Sequence, residues 1–234
     1  MTGRLIEFDS LASTNDYLAA SALALEDGTW VRAGVQTAGR GRQGRPWAPG
    51  PGNLFASVLA KPRPREGPPQ QLSLVAAVAL YDAAVPFAGR ARLSLKWPND
   101  LMLVGGKCAG ILLERVGEAT VIGFGVNLAS APAGLGRKVS CLGQGRSPPP
   151  DAHAFCRLLI EQFEIWRRRW AQDGFAPVRA HWLAHATPVG WSTSVTVGGT
   201  LREGKFAGLA DDGAMLLQTP QGVETIYAGD VIEG

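Results

Sequence analysis

Residues 37–52 constrain the fold more than any other stretch of the chain. They read TAGRGRQGRPWAPGPG, sixteen irregular residues between two segments of strand character, 29–36 (TWVRAGVQ) and 53–60 (NLFASVLA). Gly39, Gly41 and Gly44 reproduce the G-x-G-x-x-G spacing of a dinucleotide-binding turn. That turn, however, opens a helix and is followed by an acid about 20 positions on. Here Pro46 interrupts, a strand follows at Asn53, and the first acid is Glu66. A doubly wound nucleotide fold is therefore excluded, and a loop joining two strands remains. Its bare glycines let backbone N–H groups approach an anion, while Arg40, Arg42 and Arg45 add charge and bidentate donors. From Gly28 to Arg65 there are seven cations and no acid. Taken alone, the segment fits either a phosphate- or carboxylate-binding loop or a surface loop whose arginines are solvated. Irregular loops of this length are usually functional or disordered.

Composition bounds the rest. A chain of 234 residues, 46% hydrophobic and 18% charged, can bury a sizeable core as one domain with a small appendage. Lys plus Arg is 23 against 20 for Asp plus Glu, and a net charge of +3 is too small for a general polyanion binder. Cys108, Cys141 and Cys156 are widely spaced, without a CxxC pair or adjacent His. That predicts a reducing, cytoplasmic setting and neither a disulfide scaffold nor a structural zinc site. Glu7 and Asp9 stand where a signal peptide would be apolar, and no run of about 18 apolar residues is present. No membrane association is expected.

Along the chain, residues 4–8 read as a strand. Ser13, Thr14, Asn15 and Asp16 then offer caps for a helix running to about residue 25. Leu72, Val75, Ala76, Ala79 and Leu80 give a helical period within 70–87. A strand over 93–96 ends in WPND, and a hairpin follows, turned by Gly105 and Gly106 as a source of positive φ. Residues 120–127 form another strand, 129–150 a Gly/Pro-rich loop, and 151–172 and 176–185 helices. From Gly190 the period becomes two, with turns at Gly198-Gly199, Asp212-Gly213 and Gln221-Gly222. The prediction is an α+β chain: a mixed β-sheet with packed helices over 1–187, then a small barrel over 188–234. Lys96, among Leu93, Leu95, Trp97 and Leu101, either meets an anionic partner or stands exposed on an edge strand.

Several motifs occur in order: Ser13-Thr14-Asn15 opening a helix, Gln36 before GRGRQGRPW, Asn53-Leu54 entering a strand, SLKWPNDLML, GGKCAGILLE and GFGVNL. Together they resemble the biotin protein ligases, densely over residues 10–128 and by pattern alone in the C-terminal barrel. The resemblance implies a sheet of the class II aminoacyl-tRNA synthetase/biotin ligase type followed by an SH3-like barrel. It implies that biotin and ATP form biotinyl-5'-AMP, with Mg2+ accompanying ATP, and that biotin passes to one lysine of a biotin carboxyl carrier domain. By similarity, Lys96 lies between the biotin carboxylate and the α-phosphate. Arg42 holds the carboxylate or adenylate, Arg45 the departing phosphates, and Trp47 belongs to the ATP side. Ser13, Thr14, Asn15, Gln36 and the backbone of Gly39, Arg40 and Gly41 face the ureido end. Gly110 and Ile111 line the tail, Asn127 reads the adenine edge, and Asp100 orients or deprotonates the acceptor lysine. No carboxylate cluster identifies ligands for the magnesium ion.

Members that also repress transcription carry a winged helix-turn-helix before the catalytic motifs, which here begin at Ser13. A stand-alone ligase without specific DNA binding is therefore expected. Dimers through the sheet edge occur in the family, but no apolar strand here marks such an interface. The alternative within enzymes is a lipoate or octanoate ligase of the related fold. From another class, an Arg/Gly loop can belong to a nucleic-acid-binding module, yet this one offers a single aromatic, Trp47, and no stacking series.

Overall fold

The structure is a computed structural model and describes residues 4–47, 50–132, 136 and 138–233. A seven-stranded sheet is built from β1 (Leu5–Leu11), β2 (Trp30–Gln36), β3 (Leu54–Ala60), β4 (Leu93–Lys96), β5 (Asp100–Leu103), β6 (Gly106–Val116) and β7 (Ala119–Val126). Its order is β1-β2-β3-β7-β6-β5-β4, with β1 and β2 parallel and every other pair antiparallel, so the sheet is mixed as expected.

Each face of the sheet is covered differently, and that difference creates the site. Helix α2 (Leu72–Ala88) is apolar nearly all round and is buried on the sheet beneath α3 (Ala152–Asp173) and α4 (Ala176–Ala184), to which its Asp82 bonds through Trp166 and His181. By length and mean hydropathy the 69–88 segment could cross a bilayer; here it is the core helix. Gly89, at φ 78°, stops α2, and the Asp151 carboxylate caps α3 by accepting from Ala154 N at 2.8 Å. Among the described residues, the opposite face carries α1 (Thr14–Ser21) alone; its Leu18 and the following Ala22 pack on Val31, Leu59 and Val121. The rest of that face is open to a ligand.

Two expectations needed correction, and a third element, the expected loop, proved to be anchored. Helix α1 ends at Ser21, four residues early, because turns lead through Gly28, at φ 76°, into β2. The hairpin between β5 and β6 takes its positive φ from Val104 and Gly105; Gly106 is glycine because a Cβ there would lie 2.1 Å from Ser140 Oγ. The 129–150 stretch, of which 133–135 and 137 lie outside the described residues, is tied to the sheet. Lys107 N donates to Lys138 O at 3.1 Å, and Ser140 N to Lys107 O at 2.9 Å.

Five short strands close the chain: β8 (Ser192–Val197), β9 (Thr200–Leu209), β10 (Met215–Thr219), β11 (Gly222–Ile226) and β12 (Asp230–Glu233). They form an antiparallel sheet in the order β11-β10-β9-β8-β12. Val195, Phe206, Leu209, Met215 and Leu217 face the common core, where Trp182 of α4 meets Phe206.

Candidate functional site

A cavity of about 650 Å³ opens on the α1 face, above β6 and β7. One end is a closed set of hydrogen bonds. Gln36 Oε1 accepts from Thr14 N at 2.8 Å and from Thr14 Oγ1 at 2.9 Å. Thr14 Oγ1 also touches Ser57 Oγ at 2.7 Å, and Ser57 Oγ donates to Asn15 Oδ1 at 2.6 Å. Asn15 Nδ2 donates to Glu114 Oε2 at 2.6 Å, which fixes the amide's orientation. Two hydroxyl protons thus serve three short oxygen–oxygen approaches, so the cluster has more lone pairs than donors. Beside it, Ser13 Oγ caps α1 by accepting from Asp16 N at 3.2 Å, and its hydroxyl also bonds the Asp16 carboxylate.

The floor is glycine. A Cβ at Gly123 would lie 2.3 Å from Asn15 Oδ1, and one at Gly125 within 2.5 Å of the Trp47 ring, so only bare backbone admits these neighbours. Gly110 likewise lies close to Trp47 and Lys107.

The other end is cationic. Lys96, Lys107, Arg42 and Arg45 line it. Lys107 Nζ is paired with Asp100 and sits 5.6 Å from the centre of the Trp47 ring. Arg42 Nη1 approaches Asn99 Oδ1 at 3.4 Å. Residues 39–47 form a tight hairpin, closed by Trp47 N donating to Gly39 O at 3.0 Å and Gly41 N to Arg45 O at 2.7 Å. Arg40 anchors its base. The guanidinium bonds Asp16 at 2.6 and 2.7 Å and Glu114 at 2.9 Å. Those hydrogen bonds raise the Arg40 pKa and hold the Asp16 carboxyl below its ordinary value.

Ser13, Thr14, Asn15, Gln36, Arg40, Gly41, Arg42, Arg45, Trp47, Lys96, Asp100, Gly110 and Ile111 all line the cavity, as the sequence led us to expect. Gly39 and Asn127 do not. Gly39 stands behind Gln36, where a Cβ would meet Nε2 at 2.8 Å. Asn127 is buried, and its Nδ2 donates to Ser140 O at 3.1 Å, tying the 138–142 segment to β7. Asp100, expected to orient or deprotonate the acceptor lysine, is paired here with the Lys107 ammonium.

Lys107, Ser57, Glu114 and Asp230 were not among the expected site residues. Lys107 lies three positions from Gly110, an odd separation that strict strand alternation assigns to opposite faces. A bulge where β6 pairs with Leu101 and Met102 resets the alternation and brings both to the cavity. The consecutive buried pair Cys108-Ala109 is its only trace in the sequence. Among the described residues, no cluster of three or more His, Cys, Asp or Glu could hold a metal ion.

Residues 7–128 match the biotin/lipoate A/B protein ligase family, and residues 193–233 match the biotin protein ligase C-terminal domain. A biotin–[acetyl-CoA-carboxylase] ligase of Paracoccus denitrificans is 40% identical, covering 95% of this chain and 97% of its own length. The enzyme of the same name from Mycobacterium tuberculosis is 32% identical over 94% of this chain and 85% of its own. Among solved structures, the biotin protein ligase of Aquifex aeolicus in complex with biotin and ATP superposes with a TM-score of 0.86 at 25% identity. The match covers 98% of this chain and 97% of that one.

Proposed function

The chain belongs to the biotin/lipoate A/B protein ligase family, and from that premise we propose how its cavity joins biotin to ATP and then to a carrier lysine. The activity is ATP-dependent and AMP-forming: biotin becomes biotinyl-5'-AMP, and the biotinyl group passes to a lysine of a biotin carboxyl carrier domain. The observation that carries biotin over lipoate is the proton shortage around Thr14 and Ser57. A ureido ring brings two N–H donors to a cluster with surplus lone pairs. A dithiolane or an alkyl chain brings none.

Both reactants of the first step are anions. Two unit like charges at about 4 Å cost about 4 kcal/mol at an effective dielectric near 20, so the cationic end must lie between them. Lys107 is best placed for this. Its ammonium is aimed by Asp100, backed by the Trp47 ring and set beside Gly110, where the valeryl tail would pass. Lys96 adds a second cation. A carboxylate oxygen attacks the α-phosphorus and pyrophosphate leaves, while Lys107 steadies the charge that builds on the bridging oxygens. In the second step the carrier lysine, having lost a proton to solvent, attacks the carbonyl carbon as the neutral amine; the C–N bond forms, the C–O bond to AMP breaks, and the nitrogen's surplus proton passes to solvent. The glycine hairpin, bearing Arg42 and Arg45, covers the reactive anhydride and limits its escape. Among the described residues no cluster of three or more His, Cys, Asp or Glu that could hold a metal ion is present, so we read magnesium as the counter-ion of the nucleotide and assign it no protein ligand.

We place the domain boundary after residue 187, and read the last five strands as an SH3-like barrel and the main sheet as the class II synthetase type. The change to a period of two and the separate match over 193–233 support the division. Free thiols at Cys108, Cys141 and Cys156 fit a reducing compartment such as the cytoplasm. Burial pushes the Cys108 and Cys156 thiols up to about 12, which keeps both unreactive.

Thr14→Val keeps the volume and deletes the hydroxyl. It is expected to raise the KM for biotin roughly 10- to 100-fold, the cost of leaving a buried polar group unpaired. Pyrophosphate release measured with biotin and with lipoate checks both points. The wild type should respond to biotin alone, and equal turnover of the two acids would overturn the assignment.

A further inference from the structure

The cations at the tip of the glycine hairpin are already held by a protein anion. Arg42 Nη1 lies 3.4 Å from Asp230 Oδ1, and Arg42 Nη2 donates to Gly229 O at 2.9 Å. Arg45 Nη2 pairs with Asp230 Oδ2 and also reaches Gln43 Oε1 at 2.6 Å. Asp230 opens β12, in the C-terminal sheet, and itself lines the cavity. The residue before it has to be glycine. A Cβ at 229 would come within 2.7 Å of Val195 Cγ2 and 2.9 Å of Thr196 O. Only bare backbone lets this corner press against β8 while presenting a carbonyl and a carboxylate to the hairpin. At the hairpin tip, Gln43 adopts φ 57°, a left-handed conformation that a non-glycine residue keeps only when its surroundings hold it there. The grip of Arg45 on Gln43 and Asp230 is that surrounding.

A carboxylate bonded to two arginines in a cavity built for a triphosphate is an internal competitor. Guanidinium donors suit phosphate as well as carboxylate, and partly exposed ion pairs are weak enough to exchange. We propose that Asp230 is a positioning residue that holds Arg42 and Arg45 in the ligand-free enzyme and is displaced by the phosphates of ATP. Nucleotide binding thereby releases the glycine hairpin from the C-terminal sheet. The inference rests on the ATP-dependent reading of the cavity and extends it. The C-terminal sheet sets the threshold at which the nucleotide captures the hairpin, so biotin alone leaves the tip where it is.

Asp230→Asn keeps the shape and removes the competing charge. With pyrophosphate release as the assay, the KM for ATP is expected to fall roughly threefold to tenfold. The KM for biotin should stay unchanged, a split that a merely structural residue would not produce. An ATP KM that is unchanged or raised would overturn the proposal. A second measurement needs no variant. ATP added to the wild type without biotin is expected to speed amide exchange at 229–231, and unchanged exchange there would also overturn it. The underlying reading is checked separately, because wild-type pyrophosphate release that did not require both ATP and biotin would refute that reading and not the latch.

Discussion

Lys107→Ala is expected to slow biotinyl-adenylate formation by about two to three orders of magnitude, the usual cost of deleting a group that stabilises transition-state charge. Two losses coincide. The cation that separates the biotin carboxylate from the α-phosphate disappears, and the Asp100 carboxylate it neutralised is left bare in an anion site. The exposed charge then repels both substrates, by about 4 kcal/mol per unit pair at 4 Å and an effective dielectric of 20. The double variant Asp100→Asn/Lys107→Ala should therefore be faster than Lys107→Ala alone, since it removes the repulsion but not the missing cation. Single-turnover adenylate formation in the four proteins measures this. Additive losses would mean that Asp100 and Lys107 act independently, contrary to the geometry.

Arg167→Met is expected to cost about 3–5 kcal/mol of stability and to lower the melting temperature by roughly 10 °C, without touching the cavity. Arg167 is fully buried on α3. It donates to Glu66 Oε1 at 2.6 Å, Asp27 Oδ1 at 2.8 Å and Lys61 O at 2.5 Å. Arg63 joins the same network by pairing with Asp27 and, at 3.2 Å, with Glu164. The cluster staples the segments before β2 and after β3 to α3, at the strand ends opposite Gln36 and Asn53. Methionine fills similar space but leaves carboxylates buried without their cation. The pH dependence has a definite sign. Burial pushes the Asp27 carboxyl up, but the Arg167 charge and the hydrogen bonds from Arg167, Arg63 and Lys61 N outweigh it, leaving the pKa below its ordinary value. A depressed folded-state pKa contributes stability above about pH 4 that is lost as pH falls through the folded value. The gap between wild type and variant should thus be full at neutral pH and narrow below about pH 4. Thermal melts at pH 7 and pH 3.5 check it, and a variant melting within about 2 °C of wild type at pH 7 would contradict this role for Arg167.

What the sequence revealed and what it hid follow from the range of the interactions. Local periodicity and turn chemistry located the strands of the main sheet and the first three turns of the C-terminal sheet, because alternation and turn residues are written in neighbouring positions. The division between β11 and β12 carried no such signal. The Thr14–Gln36 contact was anticipated only through resemblance, since nothing local joins residues 22 positions apart. Lys107 escaped because a bulge, invisible to alternation, turns it to the cavity. Asp230 escaped because its partners lie 185 positions away or more. Asn127, expected at the adenine edge, uses its Nδ2 on Ser140 O, a contact that no local pattern announces. Of the floor glycines only Gly110 was anticipated, through resemblance; the structure adds the other two. Gly110, Gly123 and Gly125 interrupt otherwise apolar strands where the cavity floor must admit Trp47, Asn15 and Lys107.

Ligation itself is read most simply from the intact mass of an apo biotin carboxyl carrier domain after incubation with this protein, biotin and Mg-ATP. One added biotinyl group is expected, dependent on ATP and absent over the same time with Lys107→Ala. An unchanged carrier mass with the wild-type chain, or equal labelling by Lys107→Ala, would contradict the proposed function and the role given to Lys107.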